Sequence, residues 1–357
     1  MNTIGRLLRL TTFGESHGPA MGGILDGLPA GVHIDMERLQ QMIDRRRTGR
    51  STLTSQRRET DIPEILSGVS SDGRSLGTPI GFIFRNTDAR SGDYSEIESH
   101  FRPNHADFTY QLKYGLRDAR GGGRASARET VNWVMGGALA AEWLRQLGIS
   151  IEARVVGVGN VGYDDPLAEL RDNPASASLP HDEDIERGML EVVDTARRNR
   201  DSVGGRVACV IRGVPAGLGD PVFGKAQARL AQAMMSLNAA KSFEYGLGAE
   251  AWHAYGSQTL DLFNENFNPQ PMSSDNHGGI LGGITTSMPI YFAMSFKPTP
   301  TISRPLPMPD TSGKLTEIAV EGRHDPCVAL RAPVIVEALA WLTIGDLLLL
   351  SHHEPLV

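Results

Sequence analysis

Strand-like and helix-like hydrophobic patterns are mixed along this chain, and they do not alternate regularly. Alternating or β-branched runs, which are typical of strands, occupy residues 4–12, 79–85, 149–158, 206–214 and 287–296. Apolar residues repeat with helical spacing over residues 35–47, 127–147, 182–198, 222–240 and 334–350. A doubly wound parallel sheet needs a regular alternation of strands and helices. The pattern therefore favours an α+β fold, and 357 residues are enough for one large domain or two ordinary ones.

Two segments in the two halves of the chain have similar sequences. Residues 24–31 read Ile-Leu-Asp-Gly-Leu-Pro-Ala-Gly, and residues 210–217 read Val-Ile-Arg-Gly-Val-Pro-Ala-Gly. The Ser-His-Gly at 16–18 and the Asn-His-Gly at 276–278 are a weaker pair of the same kind. Such a repeat indicates two similar halves, although a Gly-x-Pro-Ala-Gly turn also recurs by chance.

Residues 121–130, Gly-Gly-Gly-Arg-Ala-Ser-Ala-Arg-Glu-Thr, combine flexible backbone with two guanidinium groups just before a strong helical pattern. Glycines let backbone N–H groups approach an anion, a helix N-terminus carries partial positive charge, and arginine grips phosphate through two hydrogen bonds. The segment therefore predicts a site for phosphate or a phosphorylated cofactor. The alternative is structural, because Ser126 and Glu129 have the spacing of a capping box and the glycines would then form only a loop.

The overall charge differs from the charge of one segment. A net charge of −7 gives no reason to expect a nucleic-acid or membrane-surface partner. Only five of the 35 basic Lys and Arg residues are lysine, and six arginines with no acidic residue lie between Arg45 and Arg58. Arginine suits planar recognition of carboxylate and phosphate, so this cluster is a second candidate anion site.

The cysteines, the N-terminus and the apolar C-terminal run indicate the cellular compartment of the protein. Cys209 and Cys327 form neither a disulfide framework nor a zinc pattern, and the first ten residues lack the apolar core of a signal peptide. The apolar run 334–350 is interrupted by Glu337 and Asp346 and is shorter than the ~20 residues needed to cross a bilayer. We therefore expect a cytoplasmic protein in which residues 334–350 form a buried helix.

Three further motifs lack the context that their usual chemistry requires. Residues 157–162 fit the dinucleotide fingerprint, but a turn-like segment follows where a helix should open. The Gly-Glu-Ser-His-Gly at 14–18 misses the hydrolase elbow, and neighbours on an extended strand point apart, so a Ser16–His17 nucleophile pair is not expected. Histidines and carboxylates at 105–107 and 324–325 lack further ligands at accepted spacings, so no metal is predicted.

Five polar clusters follow one another along nearly the whole chain. They are residues 121–130 together with Phe-Gly-Glu-Ser-His-Gly at 13–18, Arg-Pro-Asn-His-Ala-Asp at 102–107, Ser-Asp-Asn-His-Gly-Gly at 274–279 and Gly-Arg-His-Asp-Pro-Cys at 322–327. Their order and spacing closely resemble the chorismate synthase family, flavin-dependent lyases that convert 5-enolpyruvylshikimate 3-phosphate into chorismate and phosphate.

The resemblance implies a fold, a cofactor and partners. The fold is a single large α+β domain over residues 1–357, with helices sandwiched between mainly antiparallel sheets and with internal pseudo-symmetry. The cofactor is reduced FMN and the assembly is a homotetramer. Because the sequence has no credible nicotinamide site, we expect a separate flavin reductase to supply the reduced FMN.

The resemblance also implies roles for individual residues. Catalytic roles fall on Ser16, His17, His105, Ser126 and Asp325. Substrate contacts fall on Arg46, Arg102, Arg128 and Arg323. FMN contacts fall on Arg124, Ala125, Ser126, Asn238, Ala239, Gly278, Lys297, Pro298, Thr299, Pro300, Thr301 and Arg323.

These roles are chemically reasonable, but each has a structural alternative. The imidazoles of His17 and His105 change charge near neutral pH and can donate protons, yet each would also suit a polar turn. Arg46 is also explained as a cation at a helix C-terminus, and Asp325, the ultimate base in the family, as a helix-capping carboxylate. The ammonium and two hydroxyls of residues 297–301 stand on a stiff segment that can hold phosphate or ribityl groups.

Two positions depart from the family pattern. Thr52 stands where an arginine is usual, and we expect Arg50 to supply the substrate contact instead. Asn104 stands where a glycine is usual, but asparagine tolerates a left-handed backbone, so the turn is expected to persist. These departures leave open a non-catalytic flavin or phosphate sensor on the same scaffold. An RNA-binding role for residues 45–58 is disfavoured by the net charge and the low aromatic content.

Overall fold

Fourteen strands and seven α-helices lie in the part of the chain that the structure describes. The structure, a computed structural model, describes residues 1–47, 61–86, 100–117, 122–267, 270–318 and 325–351. The strands are Thr3–Ile4 (β1), Arg9–Gly14 (β2), Ala20–Asp26 (β3), Glu64–Ile65 (β4), Ile80–Arg85 (β5), Ser150–Val158 (β6), Val161–Gly162 (β7), Gly205–Arg212 (β8), Ala240–Tyr245 (β9), Ile280–Leu281 (β10), Ile284–Thr285 (β11), Ile290–Phe296 (β12), Leu306–Pro309 (β13) and Leu315–Ile318 (β14). The helices are Met36–Arg46 (α1), Asp107–Tyr114 (α2), Thr130–Leu144 (α3), Ala168–Asp172 (α4), Glu183–Arg198 (α5), Ala226–Met235 (α6) and Ala332–Leu350 (α7).

Two antiparallel five-stranded sheets form the outer layers. The first has the order β1-β2-β3-β5-β4 and the second the order β7-β6-β8-β12-β9. In β2, Leu10 and Thr12 are buried between exposed neighbours, so one face of the first sheet lies on the core. In the second sheet β12 is buried on both faces, because Tyr291 packs with Leu167 and Leu170 on the side away from the main core. The segment around α4 therefore covers the outer face of this sheet.

Helices α3 and α7 lie between the two sheets. α3 packs on β2 and β3, α7 packs on β6 and β8, and the two helices pack on each other. A Cβ atom on Gly137 would lie 2.4 Å from the Cα of Ala338, so α3 and α7 can approach this closely only because residue 137 is glycine. α1 flanks α3, and α6 flanks α7. The expected α+β sandwich with helices between antiparallel sheets is confirmed.

The apolar C-terminal helix is a core helix, as expected. Together with the turn before it, Val328–Leu350 is long and apolar enough to cross a membrane by length and composition, but 78% of its most apolar window is buried inside the protein. Its two acidic interruptions have internal partners. Asp346 accepts hydrogen bonds from the backbone N–H groups of residues 6–8 and pairs with Arg229. Glu337 pairs with Arg45 and accepts from the N–H of Ala153.

Four strands of the first sheet, β2-β3-β5-β4, have the same order and chain sequence as four strands of the second, β6-β8-β12-β9, which supports the internal repeat. In each, a central strand carries one copy of the repeated sequence, and this strand is followed by a helix that packs on the central helix pair. Gly27 directly follows β3 and Gly213 directly follows β8, with φ of 90° and 76°. Cβ atoms at these glycines would lie 1.9 and 2.3 Å from a backbone carbonyl oxygen, so both turns require glycine.

The same hydrogen bonds brace the two repeated turns. The hydroxyl of Ser75 donates to the carbonyl of Pro29 and accepts from the N–H of Val32. The hydroxyl of Thr285 donates to Pro215 and accepts from Leu218 in the same way. The weaker His-Gly pair is not part of the repeat, because residues 16–18 follow β2 whereas residues 276–278 follow β9.

Two predicted elements have different limits in the structure. Residues 4–12 form two strands rather than one, because Gly5, with a φ of 86°, opens a turn that Asp346 caps. The helix predicted over 222–240 spans only Ala226–Met235. Ala239 has a φ of 67°, and β9 begins at the next residue by pairing with β12. Long-range strand pairing outweighs local helical periodicity there.

Candidate active site

A buried aspartate joins two arginines from different segments. Asp61 is 1% exposed, with one carboxylate oxygen 2.9 Å from Nη1 of Arg46 and the other 2.6 Å from Nη1 of Arg128. Arg46 is the last residue of α1, and Arg128 lies in the 3-10 turn that leads into α3. Because both guanidinium groups are more than nine-tenths buried, the shared carboxylate compensates their charge and fixes their positions.

The remaining contacts distinguish the two arginines. Arg46 donates from Nε to the hydroxyl of Thr130 at 3.0 Å, and from Nη2 to the carbonyls of Ala127 and Arg128. These bonds tie the end of α1 to the start of α3. Arg128 directs Nε and Nη2 towards the amide oxygen of Asn86 at 3.4 and 3.3 Å. Arg46 therefore joins α1 to α3, whereas Arg128 directs two of its donor groups towards Asn86.

A small cavity lies where the two halves of the chain meet. Its volume is about 40 Å³. Its polar lining comes from Thr130 in the first half and from Asn238, Asp325 and Arg331 in the second. A cavity of this size accommodates about one water molecule, so it can receive only a part of a larger ligand.

Asp325 and Arg331 form an ion pair in the lining of this cavity. Nη1 of Arg331 lies 2.6 Å from Oδ2 of Asp325, and Nε of Arg331 donates to the carbonyl of Arg46 at 3.1 Å. Asp325 thus stands in the same network as the first-half arginines. The helix-capping alternative for Asp325 does not hold, because Cys327 is the N-cap residue of the following 3-10 turn.

Residues 297–301 connect several predicted site residues. The N–H of Lys297 donates to Ala239, and its Nζ donates to the carbonyl of Asn104 at 2.9 Å. The hydroxyl of Thr299 donates to the carbonyl of Asp325 at 2.9 Å. One segment therefore contacts two of the five polar clusters and Ala239, a predicted FMN contact.

The same segment reaches the histidine of the 102–107 cluster. Nε2 of His105 and Oγ1 of Thr301 lie 2.5 Å apart, within hydrogen-bond distance. Asn104 has a φ of 56°, so it adopts the left-handed conformation expected of a residue that replaces glycine. Asn238 completes the connection by donating its side-chain amide to the carbonyl of Ala125 at 3.0 Å.

A second lysine near Lys297 was missed in the sequence. Burial lowers the pKa of Lys297, and the neighbouring ammonium of Lys241 lowers it further. Two mutually repelling ammonium groups favour an anion beside them. Lys241 is the second residue of β9, and its only signal in the sequence is its nearness to Asn238 and Ala239.

Ser16 and His17 lie in a turn between β2 and β3, which corrects one expectation. The N–H of Gly18 donates to Glu15, and Oγ of Ser16 lies 3.0 Å from Nδ1 of His17. The expectation that the Ser16 and His17 side chains point apart was wrong, because these residues form a turn and not an extended strand. In the turn they form a hydrogen-bonded pair.

Two predicted ligand-binding arginines have carboxylate partners inside the protein. Arg102 makes a two-point contact with Asp107 at 2.8 and 2.7 Å, and both side chains are buried. Burial alone would raise the pKa of Asp107, but the hydrogen bonds and charge of Arg102 hold it below its ordinary value. Arg124 pairs with Glu129 at 2.7 Å and donates to the hydroxyl of Thr12.

The capping-box interpretation of residues 126–129 is half right. The hydroxyl of Ser126 accepts from the N–H of Arg128 at 3.2 Å, as an N-cap should. Glu129 does not close the box, because its carboxylate faces Arg124 and the amide of Asn132 instead. Ser126 therefore helps to orient the backbone of Arg128.

Gly278 lies away from the other predicted FMN contacts within one chain. A Cβ at Gly278 would touch Gly246 and Tyr245 at one end of β9, whereas Ala239 precedes the other end. A strand of this length separates the two by roughly 20 Å. The structure therefore does not bring Gly278 to Asn238 and Ala239 in the same subunit.

A buried acid–imidazole cluster adjoins Gly278. Nδ1 of His277 is hydrogen-bonded to Asp261, and its Nε2 lies 3.6 Å from Oδ1 of Asp275. Burial raises the pKa of Asp275 to about 8, and the Asp261 carboxylate adds to the shift. Although burial acts to raise the pKa of Asp261, hydrogen bonds led by that of His277 hold it at about 2.

Replacing Asp275 by Asn should change the pH dependence of stability. Folded Asp275 keeps a proton that the unfolded chain loses above its ordinary pKa of 3.8, so its contribution to stability falls as pH rises towards about 8. Between about pH 5 and about pH 7, the free energy of unfolding of Asp275→Asn should increase over that of the unsubstituted protein by about 1.4 kcal/mol per pH unit. Urea unfolding at both pH values measures this. The exposed Asp184→Asn should show no such increase, and parallel pH curves for the protein and Asp275→Asn would contradict the assignment.

Three predicted or discussed residues, Arg50, Thr52 and Arg323, lie outside the described residues, so their positions are not described. The site residues that sequence reasoning missed are Asp61, Asn86, Lys241 and Arg331. Each is a single polar residue outside the five polar clusters, and Asp61, Asn86 and Lys241 have partners that are distant in sequence.

Comparison with known proteins identifies similar sequences and a similar structure. The sequence model of a family described as chorismate synthase matches residues 8–349. A chorismate synthase of Phocaeicola vulgatus is 46% identical over 357 residues, covering 99% of both chains. One of Cytophaga hutchinsonii is 47% identical and covers 97% of this chain and 96% of its own. A crystal structure of chorismate synthase superposes with a TM-score of 0.76 at 31% identity, covering 97% of this chain and 92% of that one.

Proposed function

Because the chain belongs to the chorismate synthase family, we propose that its Asp61-anchored arginines and the adjoining cavity form the active site of this reaction. The enzyme eliminates phosphate from 5-enolpyruvylshikimate 3-phosphate to give chorismate. The carbon–oxygen bond to phosphate breaks, a hydrogen is removed from a ring carbon, and a new double bond forms without net oxidation. The observation that carries the site assignment is the buried Arg46–Asp61–Arg128 group beside the cavity that Asp325 lines.

Arg128 is the described residue best placed to bind an anionic group of the substrate. Its guanidinium is held by Asp61 through Nη1, and Asn86 accepts from its Nε and Nη2 at the longer distances of 3.4 and 3.3 Å. A guanidinium has five N–H donors, so an anion that offered two oxygens would form charge-assisted bonds to Arg128 while the Asn86 contacts remain. We assign Arg102 a smaller part in substrate binding than Arg128, because its Nε and Nη2 already donate to the carboxylate of Asp107. We assign Arg46 the role of holding Arg128 and Thr130 in place.

The proton-transfer groups lie on separate elements around this network. His17, paired with Ser16, stands on the β2–β3 turn, and His105, bonded to Thr301, stands on the 102–107 cluster. An imidazole in either place can donate a proton to a departing phosphate or to the cofactor. Asp325 lines the cavity as the candidate base, and Ser126 orients Arg128.

Residues of the second half fit a phosphorylated flavin. Lys297 and Lys241 concentrate positive charge that a phosphate would neutralise, and the Thr299 and Thr301 hydroxyls stand on the same segment. We assign Lys241, Lys297, Thr299 and Thr301 to the FMN, together with Asn238 and Ala239. When bound, reduced FMN supplies electron density transiently and is returned unchanged.

We also propose one domain over residues 1–357 and a cytoplasmic homotetramer. The shared helical layer supports the single domain, because both sheets pack on it. Large exposed apolar side chains support assembly, since Phe223 is 95% and Trp252 84% exposed. A separate reductase would supply reduced FMN.

The source of reduced FMN is tested by anaerobic turnover with oxidised FMN and NADPH. Without a reductase, no chorismate should form, and adding a flavin reductase should start the reaction. Chorismate formation in the first mixture would mean that the chain reduces its own flavin.

A further inference from the structure

Asn86 holds the turn that carries Ser16 and His17. It follows the last residue of β5, and its side-chain amide donates to the carbonyls of Gly18, Glu15 and Ser16 at 2.8, 3.3 and 3.5 Å. Its backbone N–H donates to Pro19 at 3.1 Å. A single residue directly after β5 therefore stabilises the β2–β3 turn.

The other end of the same amide faces the arginine of the proposed substrate site. Oδ1 of Asn86 accepts from Nε and Nη2 of Arg128. A side-chain amide combines an NH₂ donor with a separate carbonyl acceptor on a short stem, so one Asn can bind both partners. The surroundings fix its orientation, since the carbonyls require the NH₂ group and the guanidinium requires the oxygen.

We propose that Asn86 is a positioning residue that holds the His17 turn and Arg128 in one fixed relation. The inference rests on the proposed function, because it concerns the alignment of a proton-transfer group with a substrate-binding group. Reactions of bound groups depend steeply on such alignment, and a displacement of 1 Å can lower the rate by roughly 10²-fold. Asn86 acts through His17 and Arg128 and does not itself touch the substrate.

A cycle of variants separates this role from a merely structural one. Asn86→Ala should lower single-turnover chorismate formation by roughly 10- to 100-fold when His17 is present. In a His17→Ala background the same change should cost less than about 3-fold, because effects that act through one group are not additive. Asn86→Ser, which replaces the amide by a hydroxyl that can both donate and accept, should retain an intermediate rate and provides a second variant if Asn86→Ala does not fold.

A parallel cycle tests the connection to Arg128. Asn86→Ala should weaken binding of 5-enolpyruvylshikimate 3-phosphate in the otherwise unsubstituted protein, but not further in an Arg128→Ala background. The matched control is Asn264→Ala, which removes an amide that donates to the carbonyl of Gln270 outside the site. This control should leave rate and affinity unchanged.

The outcomes distinguish failure of the inference from failure of the proposed function. Equal losses from Asn86→Ala with and without His17, or no loss at all, would overturn the positioning role while the unsubstituted enzyme still makes chorismate. If the unsubstituted protein makes no chorismate with reduced FMN, the proposed function fails instead.

Discussion

Arg128→Ala is expected to weaken binding of 5-enolpyruvylshikimate 3-phosphate by about 2–5 kcal/mol, because it breaks a buried charge pair and removes a ligand for an anion. The guanidinium of Arg128 lies 2.6 Å from Asp61, which is almost completely buried. After truncation, Arg46 would still compensate part of the Asp61 charge through its own contact at 2.9 Å. The fold should therefore persist while the substrate site loses its cation. Equilibrium titration of substrate into the variant measures the effect.

A surface arginine provides the control for this titration. Arg187 lies on α5 and pairs with Asp184, both largely exposed, so Arg187→Ala should leave substrate affinity unchanged. Unchanged affinity in Arg128→Ala, with a normal unfolding transition, would show that the substrate does not use this guanidinium.

His17→Ala and His105→Ala are each expected to slow turnover by roughly 10²- to 10⁴-fold, which is the usual contribution of general-acid catalysis. The two side chains have different partners, since His17 is bonded to Ser16 and His105 to Thr301. Only His17→Ala should also change the pH response of bound reduced FMN, because the family resemblance implies that His17 lies beside the flavin and His105 beside the substrate. Single-turnover rates and absorbance spectra of the reduced FMN complex with substrate measure both effects.

The exposed His253, which pairs with Glu250 far from any proposed site residue in the sequence, is the control for these variants. His253→Ala should retain the full rate. If the pH response of the flavin is identical in His17→Ala and His105→Ala, the two roles are wrongly divided. If both variants keep the full rate, neither imidazole transfers a proton in the rate-determining step.

Local patterns predicted most of the fold, whereas long-range pairing decided the rest. Helices α1 and α5 and strands β5 and β8 agree with periodicity to within two residues at each end. β3 was not predicted, because Gly22 and Gly23 interrupt its alternation. A Cβ at Gly22 would lie 2.4 Å from the carbonyl oxygen of Phe82 on β5, so the neighbouring strand requires glycine there.

The site residues that lie in the polar sequence motifs were predictable. Arg128 and His105 lie in such motifs, and the structure connects them to the predicted residues Arg46 and Thr301 respectively. Asp61 and Asn86 were not predictable, because their contacts to Arg128 span 67 and 42 residues of sequence. A single aspartate or asparagine carries no local signal for a partner at that distance.

The most direct test of the central claim is anaerobic incubation of the full chain with 5-enolpyruvylshikimate 3-phosphate and chemically reduced FMN. We predict that chorismate and phosphate form in equal amounts, over many turnovers per FMN, and that the flavin is still reduced at the end. Binding of FMN and substrate without release of phosphate would contradict it and would favour a flavin or phosphate sensor on the same scaffold.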